Sequence, residues 1–187
     1  WHDMRTLDSE MGQQVKKISC TAGSIGATRR HSIVKNALMW EYPPDAVLQI
    51  ETGRIKPDDA AVGKYDFPYG FSCFLYSEQI TGDILEFEFL TDNRVNQSFC
   101  YTINFTGWRE ITVNYDRGFM KGTFSPDMNR IRIAVKHSAE GGVVFLDAIK
   151  PFVPMRPTHY YMAMAEQIPN FPRHTKRSYI GTYAENR

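Results

Sequence analysis

Phe105-Thr106-Gly107-Trp108-Arg109 lies between two strand-like runs, Cys100 to Asn104 and Glu110 to Tyr115. Gly107 lets the backbone turn between them. In the second run Ile111, Val113 and Tyr115 alternate with Thr112 and Asn114. Alternation with period two marks a half-buried strand, because successive side chains point to opposite faces. The same period recurs in both directions. Leu85, Phe87 and Phe89 alternate with Ile84, Glu86 and Glu88, and Ile131, Ile133 and Val135 alternate with Arg130, Arg132, Ala134 and Lys136. Further strand candidates are Ala37 to Tyr42, Val47 to Glu51, Gly70 to Tyr76, Phe99 to Phe105 and Val143 to Phe152. Turn signals punctuate them: Pro43-Pro44-Asp45, Thr81-Gly82-Asp83, Thr91-Asp92-Asn93, Asp116-Arg117-Gly118 and Ala139-Glu140-Gly141-Gly142. Many short strands without a long helical period predict an all-β, jelly-roll-like antiparallel β-sandwich from Glu10 to Phe152. Its expected core contains Leu38, Trp40, Phe74, Phe87, Phe105, Trp108, Ile131, Ile133 and Phe145.

The chain has 187 residues, enough for one domain with a sizeable core. Its 22 basic and 21 acidic residues nearly cancel, which argues against a nucleic-acid partner. A local basic patch remains compatible with that balance. No apolar run approaches the roughly 20 residues that cross a bilayer, so no membrane partner is expected. The start lacks a charged-then-apolar pattern, so no signal peptide is expected there. Cys20, Cys73 and Cys100 show no metal-ligand spacing and read as small buried hydrophobes.

After Pro154 the character changes. Pro157, Pro169 and Pro172 interrupt the tail, and Arg173, Lys176 and Arg177 cluster in it. A short helix is expected from His159 to Gln167, where Ala and Met favour it. The division read from the sequence is a sandwich domain over 1–154 and an extended linker over 155–187 that leads toward a further domain.

Three segments in this order carry a resemblance: Asn36-Ala37-Leu38-Met39-Trp40-Glu41-Tyr42, Phe105 to Arg109, and Gly142-Val143-Val144-Phe145-Leu146-Asp147-Ala148-Ile149. Together they resemble the N-terminal domain of chondroitin-sulfate-ABC-type polysaccharide lyases, over roughly Glu10 to Phe152. Phe71 to Glu78 is similar to the family strand that usually ends in Tyr-Asn-Glu, with Ser77 in place of the Asn. The resemblance implies a galactose-binding-like sandwich that does no chemistry itself. It implies a bacterial protein, secreted or periplasmic, and a catalytic domain of the same polypeptide as partner. A lyase of this type must neutralise a uronate carboxylate, remove the C5 proton and protonate the leaving oxygen. His137, Arg156, His159, Tyr160, Tyr161 and Glu166 match none of the family's catalytic motifs, so no catalytic residue is assigned.

Sandwiches of this type often hold a structural Ca²⁺, which takes six to eight oxygens. By the resemblance, Glu10 and Asp147 stand where its acidic ligands fall, with carbonyls from Arg30 to Val34 between them. The alternative is that Asp147 caps or pairs locally. The implied glycan partner is a sulfated glycosaminoglycan, chondroitin or dermatan sulfate. Arg130, Arg132 and Lys136 share one face of a strand, where alternate residues fall about 6.6–6.8 Å apart. That is the scale on which acidic groups repeat along such a polymer, and guanidinium forks suit them. The alternative is a solvated face paired with Glu86 and Glu88. Arg29 and Arg30, with His31 and Lys35, form a second basic group, and Tyr65 and Tyr69 flank Phe67 and Pro68 as candidate sugar platforms. Two other functions compete: a free-standing carbohydrate-binding module for another glycan, and a purely structural interaction domain.

Overall fold

A computed structural model describes residues 15–33, 36–53, 69–115, 120–125 and 127–154. The described chain is all β, in two antiparallel sheets. Its strands are β1 Val15–Cys20, β2 Ser24–Thr28, β3 Ala37–Tyr42, β4 Val47–Thr52, β5 Tyr69–Ser77, β6 Ile84–Thr91, β7 Arg94–Thr102, β8 Gly107–Asn114, β9 Lys121–Gly122, β10 Arg130–His137 and β11 Gly142–Pro154. One sheet has six strands in the order β1-β4-β10-β6-β7-β9, and the other has five in the order β2-β3-β11-β5-β8. The last strand, β11, therefore fills the middle of its sheet, between β3 and β5.

Alternation builds the core. In β10, Ile131 and Ile133 point inward, beside Phe89 and Phe87 of β6 and beside Ile50 and Leu48 of β4. From the facing sheet come Leu38 and Trp40 of β3, Phe71, Cys73 and Leu75 of β5, Ile111 and Val113 of β8, and Val144 and Leu146 of β11. Phe71 packs edge-on to Phe89 at 5.3 Å and lies 5.8 Å from Phe87, so aromatic rings join the layers, while Phe87 stacks on Phe99 of its own sheet at 4.9 Å. Each such side chain contributes about 1.5–3 kcal/mol by leaving water. Two buried hydrogen bonds fasten the layers: Tyr42 Oη donates to Asp83 Oδ2 at 2.8 Å, and Gln97 Nε2 to the Tyr115 carbonyl at 2.6 Å; a third, from Tyr115 Oη to the Pro151 carbonyl at 2.6 Å, ties the end of β8 to β11 within one sheet.

The expected breaks at Pro43–Asp45, Thr81–Asp83, Thr91–Asn93 and Ala139–Gly142 fall at strand junctions, and Asp116-Arg117-Gly118 lies outside the described residues. Gly107 has φ +82°, and Gly141 has φ +89° with Tyr42 O only 2.2 Å from where a Cβ would stand. Seven of the nine expected core residues are buried: Leu38, Trp40, Phe87, Phe105, Ile131, Ile133 and Phe145. Phe74 and Trp108 are not; both are half-buried on the outer face of the five-stranded sheet. Parity is the reason. With Cys73, Leu75, Ile111 and Val113 facing inward, residues 74 and 108 must face outward. Arg109 takes the inward position instead, its guanidinium 4.8 Å from the centre of the Phe105 ring. Phe145 is buried by a different route. It lies on the outer face under His31, Tyr76 and Arg30, outside the cluster between the sheets. Of the cysteines only Cys73 behaves as a buried hydrophobe; Cys20 is half-buried and Cys100 exposed. The expected helix over 159–167 and the linker over 155–187 lie outside the described residues. No helix of the described residues is long and apolar enough to cross a membrane.

Candidate functional site

β10 carries the basic row on the outer face of the six-stranded sheet. Register sets its neighbours: Arg130 stands beside Glu51 of β4, Arg132 beside Glu88 of β6, and Ala134 beside Glu86. Arg132 Nε bonds Glu88 Oε2, Lys136 Nζ lies 2.8 Å from Glu86 Oε2, and Arg130 Nη2 lies 3.7 Å from Glu51 Oε1. Each cation of the row thus has a carboxylate partner. Glu86 and Glu88 are 8% and 7% exposed, so these acids are largely withdrawn from water. Burial would raise the Glu86 carboxyl, but hydrogen bonds from Lys136 and Ser98 outweigh it and hold it below its ordinary range. The same bonds raise the partners: Arg132 through Glu88, and Lys136 through Glu86. The face is a lattice of donors beside acceptors rather than an open cationic strip.

Arg29 and Arg30 follow β2 and belong to the opposite face, so the structure does not unite the two basic groups. Arg29 is exposed. Arg30 Nη2 pairs with Glu78 Oε1, and His31 Nε2 lies 2.8 Å from the same oxygen. His31 also stacks on Tyr76 at 3.9 Å, and Tyr76 meets Trp108 edge-on at 5.3 Å. Phe74 adds its ring to Trp108 at 6.3 Å. This half-buried aromatic group lies on the same face as Glu110, whose carboxyl burial raises above its ordinary range; of its members, Phe74 and Trp108 were expected in the core. Of the expected sugar platforms, Tyr65 lies outside the described residues, and Tyr69 opens β5 opposite Pro154.

Asp147 is 1% exposed, and both of its oxygens are used by backbone donors: Ile33 N at 2.8 Å and Ala148 N at 2.7 Å. It ties the 29–33 loop to β11, and the left-handed φ values of His31 (+52°) and Ala148 (+46°) flank it. Glu10 lies outside the described residues. Among the described residues no group of three His, Cys, Asp or Glu side chains stands close enough to hold a metal. With Glu10 outside the described residues, Asp147 stands here as a loop-fastening carboxylate that accepts two backbone N–H donors.

A second feature escaped the sequence reading. The β6–β7 turn and residues before β10 border an open polar cleft of roughly 670 Å³, lined by Asn93, Arg94, Asn96, Ser125 and Asp127 with Thr91 and Asp92. Arg130 Nη1 donates to Asn93 Oδ1 at 2.6 Å, so the cleft opens at one end of the basic row.

The family model described as "Lyase, N terminal" matches residues 5–159. A "Chondroitin sulfate ABC exolyase" of Bacteroides thetaiotaomicron is 34% identical over 146 residues, covering 78% of this chain and 14% of that protein. A protein of the same description from Proteus vulgaris is 29% identical over 121 residues, covering 65% of this chain and 12% of its own length. The chain therefore spans about one seventh of the curated relatives it matches. Among solved structures, that of an exo-beta-agarase superposes with TM-score 0.58 at 13% identity, over 81% of this chain and 25% of that one, a likeness of fold.

Proposed function

The chain belongs to the lyase N-terminal family, and from that premise we propose that it is a non-catalytic module that binds and orients polysaccharide for a chondroitin-sulfate-type lyase. The observation that carries the proposal is the outer face of the six-stranded sheet, where Arg130, Arg132 and Lys136 stand in one line among Glu51, Glu88 and Glu86. A sugar polymer laid along β10 meets donors for its carboxylate or sulfate oxygens and acceptors for its hydroxyls. Every anion must compete with a glutamate already in place, so binding is weak. The function calls for that, since a module that orients a polymer during depolymerisation must also release it. The polymers concerned are too large to enter a cell intact, which fits a secreted or periplasmic setting.

Replacing Arg130 and Arg132 together by Ser tests the track. Two exposed oxyanion contacts of about 0.5–1 kcal/mol each correspond to roughly tenfold weaker binding of chondroitin sulfate. Unchanged affinity in a folded double variant would place the site elsewhere. The non-catalytic part is tested by the absorbance of the unsaturated uronate product. The chain should release none from chondroitin sulfate, dermatan sulfate or hyaluronan, and turnover by pure protein would overturn it.

One observation favours a second role beside the first. Phe74, Tyr76 and Trp108 leave apolar ring surface half-exposed on the five-stranded sheet. The matched relatives are about seven times longer than the matched segment, so the rest of a lyase polypeptide is the natural partner for that face.

A further inference from the structure

We infer that the polar cleft between the β6–β7 turn and the residues Ser125 and Asp127 is an anchoring subsite for one acidic sugar unit, with Arg94 and Asp127 as its recognition groups. This rests on the reading of the module as a polysaccharide binder and gives that reading its primary contact point.

The cleft is a preformed site. Asp92 and Asn129 clamp each other, the Asp92 N–H donating to Asn129 Oδ1 at 2.8 Å and Asn129 Nδ2 donating to Asp92 Oδ1 at 2.8 Å. Asn96 Nδ2 donates to Thr91 Oγ1 at 2.7 Å, and the Asn96 carbonyl receives Thr123 N at 3.0 Å. Gly122, at φ +90°, lets its strand approach so closely that a Cβ would stand 2.0 Å from that carbonyl. Walls fixed before binding lose little freedom on binding. A volume of roughly 670 Å³ falls within the ordinary range of ligand pockets, about 300–1,000 Å³.

The lining has two groups that the protein does not use. Among the described residues, neither the Arg94 guanidinium nor the Asp127 carboxylate has a hydrogen-bond or ion-pair partner. Arg130, Arg132, Lys136 and Arg30 differ, since each is already held by a glutamate. An anion entering the cleft meets a guanidinium without displacing a carboxylate. Arg94 supplies paired N–H donors for a sugar carboxylate or sulfate. Asp127 accepts from ring hydroxyls, while the amides of Asn93 and Asn96 and the Ser125 hydroxyl offer both donors and acceptors. The Arg130–Asn93 bond joins this subsite to the track, so a polymer held here by one unit continues along β10.

Calorimetric titration of the 187-residue chain with a chondroitin sulfate tetrasaccharide at low salt tests the assignment. Arg94→Gln and Asp127→Asn should each weaken binding about tenfold, the worth of one charge-assisted hydrogen bond. Arg94→Lys should recover part of the loss, because it restores the charge without the fork. Both Arg94→Gln and Asp127→Asn should melt with the parent, since neither side chain supports the fold. Parent-like affinity in both, with loss in the Arg130→Ser/Arg132→Ser variant, would overturn the cleft and leave the module reading standing. A parent chain that binds no acidic oligosaccharide would overturn both.

Discussion

Removing an acid that already occupies a guanidinium of the basic row should strengthen the binding of an acidic polymer. Glu88 holds Arg132 through its Nε, and an incoming sulfate or carboxylate must take that guanidinium away. Glu88→Gln keeps the shape and one acceptor oxygen but removes the competing charge. The Arg132 side chain is 35% exposed, so the pair counts as a screened one, worth about 0.2–1 kcal/mol. Releasing that energy to the ligand predicts an affinity for chondroitin sulfate up to about fivefold higher. Salt dependence should steepen as well, because an unopposed cation is added and exposed charges are screened over about 8 Å at physiological ionic strength. The assay is titration of the polymer into parent and variant across a salt series, with thermal melts confirming that the variant folds. Glu88 is only 7% exposed, so the substitution also relieves a partly desolvated charge and should cost little stability. Equal or weaker binding at every salt, in a folded variant, would show that Arg132 does not meet the polymer.

Two further outcomes concern the scaffold. Phe87→Ala should destabilise by about 3–5 kcal/mol, as expected for a ring lost from a close-packed core, whereas Phe74→Ala on the outer face should cost much less; urea melts decide, and comparable losses would contradict the parity assignment. Burial raises the Glu110 carboxyl, so the folded state is more reluctant than the unfolded chain to ionise it. Stability from this group is therefore gained as pH falls from neutral through the raised folded value and is complete below the unfolded one. Glu110→Gln should raise stability at neutral pH and lose that advantage in acid; a variant less stable than the parent at neutral pH would refute this.

The legible parts of the fold share one property. β6, β8 and β10 each turn an apolar row toward the core and a polar row the other way, so Phe87, Ile111 and Ile133 announce themselves against Glu86, Thr112 and Arg132, even where register then buries the polar row as it does Glu86 and Thr112. β1 and β2 were not legible. Val15–Cys20 and Ser24–Thr28 are short edge strands, mostly polar or small, and their pairing is fixed by β4 and β3 rather than by their own pattern. Phe74 and Trp108 were misplaced because apolar bulk was weighed above parity, although Ile111 three residues on already fixed the face of Trp108. The basic row was read correctly as one face of one strand. Its neutralisation by Glu51, Glu88 and Glu86 depends on inter-strand register, which local sequence does not specify. The cleft was invisible for the same reason, since Asp127 reaches Thr91 to Asn96 only after β10 has docked on β6.

The position of β11 also governs how the chain can be made. Until Gly142–Pro154 arrives, β2–β3 and β5–β8 are two separate ribbons with no shared partner. A nascent chain leaves the ribosome from its N-terminus, so most of the module must be synthesised before its second layer can close. Up to that moment β3 and β5 each offer an unpaired edge to any other strand at hand. A module built this way closes its second layer in a late step, and one cut short before Gly142 would have lost its keystone while keeping ten of the eleven described strands.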